Sequence, residues 1–295
     1  GVPARPGLNP LRWSQTYVLT PEQFAALQQI DASLGTAASA AIGTRIERWQ
    51  PQDDDHFQFG SMFEQKLLIE KGTKSHVKTT ANPDDLAAIT KQIQDAKKRS
   101  DFVIYSVHTH EGVAENWYAD EPAEFIQQAA HAGIDAGADI FIGHGAHFLR
   151  GIELYHGKPI FYNLGSFLME FEAGESIIPP EMYASYGFGP GATPSDLHQS
   201  RAYDEKGDFA GFNADEFFSE GVILTLDVAK GEYQLQPIDL RMSDANALHR
   251  GIPAIADPAF GAKIIQRLSR LSAAFGTQLH YDSESQIVSL TANEV

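Results

Sequence analysis

Two short apolar runs that both end in histidines constrain the fold of this chain more than any other feature. The runs span Phe102–Val107 and Asp139–Ile142, and their Val, Ile and aromatic residues are typical of buried strands. Four histidines follow the carboxyl ends of the runs: His108, His110, His144 and His147. A segment with helical periodicity lies between the runs, so the sequence predicts a strand–helix–strand unit with parallel strands. We therefore expect both histidine pairs at one edge of one sheet.

Local signals predict further elements on either side of this unit. Thr20-Pro21 and Asn82-Pro83 each place a capping side chain before a proline that suits the first helical turn, so a helix is predicted after each pair. Periodicity predicts an amphipathic helix and a hairpin: Ala259–Phe275 for the helix, and Val222–Val228 with Tyr233–Leu240 for the hairpin.

Two stretches are predicted to lack regular structure. Residues 1–19 are expected to be mostly loop, because prolines at positions 3, 6 and 10 interrupt secondary structure. Residues 171–221 are rich in Gly, Pro and acidic residues, and they are expected to form a long loop insertion that shapes a binding cleft. The first residues, GVPARPGLNPLRW, lack the regions of a signal peptide and are typical of a protein interior, so we expect a cleaved, trimmed or partial chain.

Composition narrows the classes of partner. The formal net charge of -17 argues against nucleic-acid binding and against docking on an anionic membrane. It leaves an anionic substrate open, because a bound metal ion can reverse the local field. The chain has no cysteine, so thiol nucleophiles and thiolate metal sites are excluded. No apolar run reaches the length of about 18 residues that a transmembrane helix needs.

The histidines at the two strand ends are the candidate site. Neutral imidazole is a good ligand for zinc, manganese and iron. His108, His144 and His147 are the predicted metal ligands, and His110 is predicted to be a further ligand or a proton donor. Glu111 is a candidate base, or a partner that orients an imidazole. The alternative is that all four histidines are ordinary hydrogen-bonded residues of a structural α/β domain.

The same residues carry a resemblance to a known family. The stretch GADIFIGHGAHFLRGIELYHGKPIFYNLGSF, the motif SVHTHEG and the segment PGLNPLRW resemble the bacterial capsule-synthesis family (CapA, poly-γ-glutamate biosynthesis). That family is similar to calcineurin-like metallophosphoesterases, which implies an α/β fold with a β-sandwich flanked by helices. It also implies a centre of two divalent ions (Mn, Zn or Fe), with His108 matching a single-histidine motif and His144 and His147 matching a paired one. An extracytoplasmic, bacterial location is implied as well.

The sequence also departs from the family pattern. Ala146 stands where Pro is usual, and Asn163 and Ser166 stand where Ser and Asn are usual. The Gly-Asp and Asn-His motifs that begin such folds are absent from this sequence. Residues 1–295 are therefore expected to form the C-terminal portion of a single domain of this type, whose N-terminal strands are missing here. The missing half, present as a separate or cleaved chain, would complete the metal site.

Two functional hypotheses follow from the resemblance. The first is a metal-dependent hydrolase or transferase that acts on an anionic polymer or peptide such as poly-γ-glutamate, or on a phosphoester. The second is a non-catalytic polyglutamate-binding component of capsule assembly or export. Polymer binding that persists after chelation, without hydrolysis, would favour the second hypothesis.

Overall fold

The computed structural model describes residues 9–47, 53–60, 67–169 and 178–292. Helices and strands are interspersed along these ranges, and the strands form three sheets. This mixture confirms the predicted α/β class. The chain divides into two compact units, one of residues 1–98 with 111–136 and one of residues 99–110 with 137–295. The assignment of residues 1–295 to a single domain stays a prediction. No helix in the described ranges is both long and apolar enough to cross a membrane.

Among its described residues, the first unit contains one sheet of four strands and four α-helices. Its strands are β1 (Trp13–Leu19), β2 (His56–Phe59), β3 (Leu67–Lys71) and β4 (His76–Ala81), in the order β2-β3-β1-β4. Its helices are α1 (Pro21–Leu34), α2 (Thr36–Glu47), α3 (Pro83–Lys97) and α4 (Glu124–Asp135). Phe24 of α1 packs with Phe57 and Ile69 of the sheet in a small buried cluster, which holds the helix against the strands.

The capping signals of the sequence act as predicted in this unit. The Thr20 side chain accepts a hydrogen bond from the backbone of Gln23 and completes a capping box at the start of α1. The Asn82 side chain accepts from the backbone of Asp84 and Asp85, and Pro83 is the first residue of α3. Both helices therefore begin at the predicted residues.

The described part of the second unit forms two sheets. The first has the order β5-β6-β8-β7 and consists of β5 (Ile104–Thr109), β6 (Ile140–Gly145), β7 (Ile152–Tyr155) and β8 (Lys158–Phe161). The second consists of β9 (Glu220–Asp227), β10 (Glu232–Asp239), β11 (Ala254–Ile255), β12 (Thr277–Asp282) and β13 (Ile287–Ala292). The helices are α5 (Pro180–Ser185), α6 (Pro194–Ala202) and α7 (Pro258–Ala273).

One buried cluster joins the two sheets and the last helix of the second unit. It includes Ile140 and Phe161 from the first sheet, Leu235 and Val288 from the second, and Leu268 from α7. Burying a side chain of this size contributes about 1.5–3 kcal/mol relative to leaving it in water. Two sheets that share one core with a flanking helix are consistent with the sandwich that the family resemblance implies.

The structure differs from the predictions in two stretches. Residues 13–19, predicted as loop, form β1, which pairs in parallel with β3 and antiparallel with β4. The prediction was wrong there because the partners lie about fifty residues away or more, beyond any local signal. Within 171–221, predicted as one long loop, the described residues include α5 and α6, while 171–177 lie outside them. Helix α6 begins with a capping box at Thr193 followed by Pro194, a signal that the sequence contained.

Candidate functional site

The four histidines lie together in the second unit, two of them in the last residues of two parallel strands and two just after those strands. Strands β5 and β6 pair in parallel, with His108 opposite His144. The ring centroids of His144 and His108 are 4.9 Å apart, those of His108 and His110 are 5.2 Å apart, and those of His110 and His147 are 5.7 Å apart. The rings thus lie next to one another in the order His144–His108–His110–His147, and we call this group the histidine row. The predicted gathering of these side chains at one sheet edge is present in the structure.

The closest contact in the histidine row joins two ring nitrogens. Nε2 of His108 lies 3.2 Å from Nε2 of His110. This distance suits a hydrogen bond between one protonated and one unprotonated nitrogen. It is also close to the separation of about 3.3–3.4 Å between two tetrahedral ligands with bonds of about 2.0–2.1 Å to one zinc ion. The spacing of the two nitrogens is therefore compatible with a hydrogen bond and with two ligands of one ion.

His147 is held in an unusual backbone conformation. Its φ is 68°, in the left-handed region that residues other than glycine rarely adopt. Its Nδ1 lies 3.2 Å from Oγ of Ser166, and its ring packs edge-on against Phe212, with centroids 5.5 Å apart. A bond at Nδ1 leaves Nε2 as the nitrogen for a further ligand. Strain of this kind costs about 1–3 kcal/mol and clusters at functional sites.

A glycine gives the row its close packing. Gly145 ends β6 with a φ of 114°, and a Cβ added there would lie 2.9 Å from Nε2 of His108. Real Cβ atoms do not approach a ring nitrogen so closely, so any larger residue would displace the His108 ring. The glycine therefore allows the imidazole of one strand to lie against the backbone end of the next.

Burial, followed by neighbouring groups, lowers the pKa of two of the imidazoles and so favours their neutral form. The pKa of His144 is lowered by burial and then by the adjacent His108. The pKa of His147 is also lowered, first by burial and then by His110, His108 and Arg201. A neutral imidazole is the form that ligates a metal ion or accepts a proton.

A buried arginine, which the sequence reasoning missed, connects the two histidine loops. Arg150 is fully buried, and its Nη2 donates to the backbone carbonyl of His110 at 3.0 Å. Its guanidinium lies over the ring of Phe148, 5.4 Å from the centroid. The sequence did contain a signal for this residue, because Arg150 is a charged residue within an apolar stretch, three positions after His147. Ser166 and Phe212 carry no comparable local signal of contact with His147.

The donor set fits a divalent ion in part. Within the ranges that the structure describes, no three His, Asp or Glu side chains converge closely enough to hold an ion. The 3.2 Å pair of ring nitrogens supplies two donors with suitable spacing. Glu111 belongs to the other compact unit, where its backbone carbonyl accepts a hydrogen bond from Ala123. The catalytic and ligand roles of the predicted residues therefore stay predictions.

Comparison with known proteins tests the resemblance directly. The family model described as bacterial capsule synthesis protein PGA_cap matches residues 31–170, a range that includes the whole histidine row. An uncharacterised protein of Sinorhizobium fredii, y4sH, is 32% identical over 301 residues, which cover 98% of this chain and 59% of the relative. The chain thus spans about 59% of the length of that relative.

Two named relatives match shorter stretches. The PGA biosynthesis protein CapA of Bacillus subtilis is 36% identical over 124 residues, 40% of this chain and 31% of the relative. The capsule biosynthesis protein CapA of Bacillus anthracis is 38% identical over 90 residues, 30% of this chain and 21% of the relative. These matches confirm that the chain, through the segment that carries its histidine row, is similar to the CapA-like family of bacterial capsule synthesis proteins.

Proposed function

We propose that this chain acts in capsule or poly-γ-glutamate metabolism as a metal-dependent hydrolase or transferase, with the histidine row as its reaction centre. The observation that carries the proposal is the 3.2 Å separation of the His108 and His110 ring nitrogens at the end of two parallel strands. The names of the two CapA relatives support poly-γ-glutamate or capsule polymer as the substrate class, and the match to the family model across the row supports the location of the site.

The row would hold one or two divalent ions, of manganese, zinc or iron. His108, His144 and His147 are the proposed ligands, and the spacing of His110 from His108 favours a fourth ligand role over that of a proton donor. When bound, such an ion polarises a phosphoryl or carbonyl oxygen and lowers the pKa of a bound water. Ser166 would fix the ring of His147 through Nδ1, and Glu111 would serve as base or orienting partner.

Further ligands are proposed to come from residues beyond this chain, as a separate or cleaved partner or as part of a longer protein. The greater length of the Sinorhizobium fredii relative supports this step. The proposed substrate is an anionic polymer or peptide such as poly-γ-glutamate, or a phosphoester. We also propose an extracytoplasmic location, which rests on the capsule-related names of the relatives.

Metal content of the purified chain tests the proposal. After exposure to Mn, Zn or Fe salts and desalting, elemental analysis is expected to find bound metal in the unmodified chain and less than half as much in His144→Ala and in His147→Ala. His280→Ala is the matched control, since this exposed histidine lies on β12, outside the row, and its loss is expected to leave the metal content unchanged. Unchanged metal content in both row variants would contradict the proposal.

The second candidate is a non-catalytic polyglutamate-binding component of capsule assembly or export. The observation that favours it is the lack of three converging ligands within the described ranges. Under this alternative, polymer binding persists after chelation, and neither phosphodiesters nor γ-glutamyl amides are hydrolysed. Loss of polymer binding on chelation would instead favour the metal-dependent proposal.

A further inference from the structure

A buried ion pair joins helix α7 to the first residue of β9. Nη1 of Arg267 donates to Oε2 of Glu220 at 2.6 Å, and the two side chains are 18% and 4% exposed. Removing one partner of a pair this far from water would leave an uncompensated buried charge, so the two groups stay together in the folded chain. Because water and salt screen such a pair little, the contact fixes the start of β9 against α7 more tightly than a surface ion pair would.

The start of β9 packs against the turn that carries Ser166. The amide nitrogen of Val222 donates to the carbonyl oxygen of Leu164 at 3.3 Å. A Cβ added to Gly221 would lie 2.9 Å from the carbonyl oxygen of Ser166, so the two backbones lie too close together for a side chain between them. Since Oγ of Ser166 lies 3.2 Å from Nδ1 of His147, the position of β9 determines where this hydroxyl meets the ring.

Arg267 also contacts the aromatic cluster behind His147. Its guanidinium lies over the ring of Phe217, 5.4 Å from the centroid. That ring packs edge-on against Phe148, the residue that follows His147, with centroids 5.2 Å apart. The same cluster includes Phe212, whose ring contacts His147. The arginine is therefore connected to both groups that orient the imidazole, the serine hydroxyl on one side and the aromatic cluster on the other.

Both series of contacts end at the same imidazole. We propose that the Glu220–Arg267 pair positions His147, by holding the ring so that Nδ1 donates to Ser166 and Nε2 keeps its lone pair. The tautomer of an imidazole is set by the hydrogen bond that one of its nitrogens makes, so a displaced serine would release the ring into both tautomers. That Nε2 meets a metal ion rests on the proposed function, whereas the coupling between the ion pair and the ring rests on the contacts alone.

Nitrogen NMR of the His147 ring tests this coupling in the full chain, labelled at histidine and kept in chelator. The ring signals are assigned by their absence in His147→Gln. At a pH of about 8.5, well above the ordinary imidazole pKa of about 6.5, we expect one tautomer in the unmodified chain. Glu220→Gln keeps the shape but removes the charge, and the two ring nitrogens are expected to move toward each other by at least about a quarter of their separation. Unchanged ring signals in Glu220→Gln would overturn the proposal.

Asp139→Asn is the matched control, because it breaks another partly buried ion pair of the same unit. Asp139 lies 3.2 Å from Nζ of Lys158 and directly precedes β6, at the end of the strand opposite to the histidines. Urea unfolding measures the stability that each variant loses, and the His147 signals of Asp139→Asn are expected to stay unchanged. If both variants alter the ring signals alike, the Glu220–Arg267 pair has only a general structural role and the proposal fails.

Two further variants act on the same contacts without changing Glu220. Arg267→Gln removes the charge from the helix side and is expected to change the ring signals in the same way. Gly221→Ala forces a new carbon against the carbonyl of Ser166 and should do so with the ion pair intact. Its control is Gly72→Ala, where the added carbon would collide with a side chain of the other compact unit. Unchanged ring signals in both Arg267→Gln and Gly221→Ala would refute the proposal even if Glu220→Gln fails to fold.

The metal-content test and this ring measurement fail separately. Altered His147 signals in Glu220→Gln, combined with unchanged metal content in the row variants, would keep the positioning pair and refute the proposed function. Unaltered signals, combined with metal loss in the row variants, would refute the positioning role alone.

Discussion

At the scale of single residues, the histidine row depends on backbone positions where the choice of side chain is narrow. Gly145 and His147 lie two residues apart, and both have positive φ, of 114° and 68°. Position 145 needs a residue without a Cβ, because that carbon would collide with His108. Position 147 has an imidazole side chain although its left-handed backbone conformation is unfavourable for such a residue. Substitutions at these two positions therefore separate the contribution of local strain from that of ring chemistry.

Gly145→Ala is expected to damage both stability and metal content. The positive φ costs about 1–2 kcal/mol for a residue with a Cβ, and forcing that carbon against His108 adds about 1–3 kcal/mol of overpacking. The control is Gly157→Ala, because Gly157 has a φ of 74° but no atom within 4 Å of the added carbon. Urea unfolding should show the larger loss for Gly145→Ala, and equal losses would contradict the contact with His108.

His147→Gly and His147→Ala both remove the imidazole and differ in backbone freedom. Since the left-handed conformation disfavours any Cβ, the glycine variant is expected to be more stable than the alanine variant by about 1 kcal/mol. Both variants should bind equally little metal. Urea unfolding measures the difference, and a more stable alanine variant would show that position 147 is not strained.

Stability of the metal-free chain is expected to fall as the pH drops below about 6.5, the ordinary imidazole pKa. The pKa values of His144 and His147 are lowered in the fold by burial and by neighbouring positive groups. At such pH the unfolded chain binds more protons than the folded one, so acid favours unfolding, and the effect is complete below the folded pKa values. Urea unfolding of chelated protein between pH 8 and 5.5 measures the slope. The double variant His144→Asn with His147→Asn should flatten it, and an unchanged slope would assign the effect to other groups.

At the scale of secondary-structure elements, local signals predicted more than long-range pairing did. The βαβ order, the caps of α1 and α3, and the β9–β10 hairpin were all predicted and are all present. Helix α2 was not predicted, because it buries only Ala40 and Gly43 and so shows no apolar stripe. Strand β1 was missed since its pairing partners lie far away in the sequence.

The same distinction applies to the site. The gathering of four histidines followed from the rule that parallel strands end at one edge of a sheet. The contacts that orient them did not, because Ser166 and Phe212 reach His147 from 19 and 65 residues further along the chain. Side-chain contacts of that kind depend on the completed tertiary structure.

Helix α7 offers a test of the shared core in the second unit. Leu268 is 1% exposed in the cluster that joins both sheets, so Leu268→Ala is expected to lower the free energy of unfolding by about 2–5 kcal/mol. Gln266, an exposed residue of the same helix, is the control, and Gln266→Ala should change stability by less than about 0.5 kcal/mol. A small loss for Leu268→Ala in chemical denaturation would show that α7 is not part of the core.

At the scale of the whole molecule, net charge would oppose association with the anionic polymer proposed as the substrate. The formal charge of -17 would repel polyglutamate at long range, and attraction to the proposed site would act only at short range. Raising the salt concentration from about 0.02 M to 0.15 M shortens the screening length to about 8 Å. The association rate with poly-γ-glutamate is therefore expected to rise with added salt in stopped-flow or surface-binding measurements. A falling rate would reveal a dominant basic surface.

The two compact units are interleaved along the sequence. Residues 111–136 separate β5 from β6 but belong to the first unit. During synthesis, β5 and its two histidines therefore leave the ribosome before their partner strand exists, and they wait until residue 145 has been made. The buried cluster that includes Ile140 of β6 is completed later still, because it also contains Leu235, Leu268 and Val288. A chain released before those residues are made would therefore contain all four imidazoles and still lack part of the core on which β6 packs.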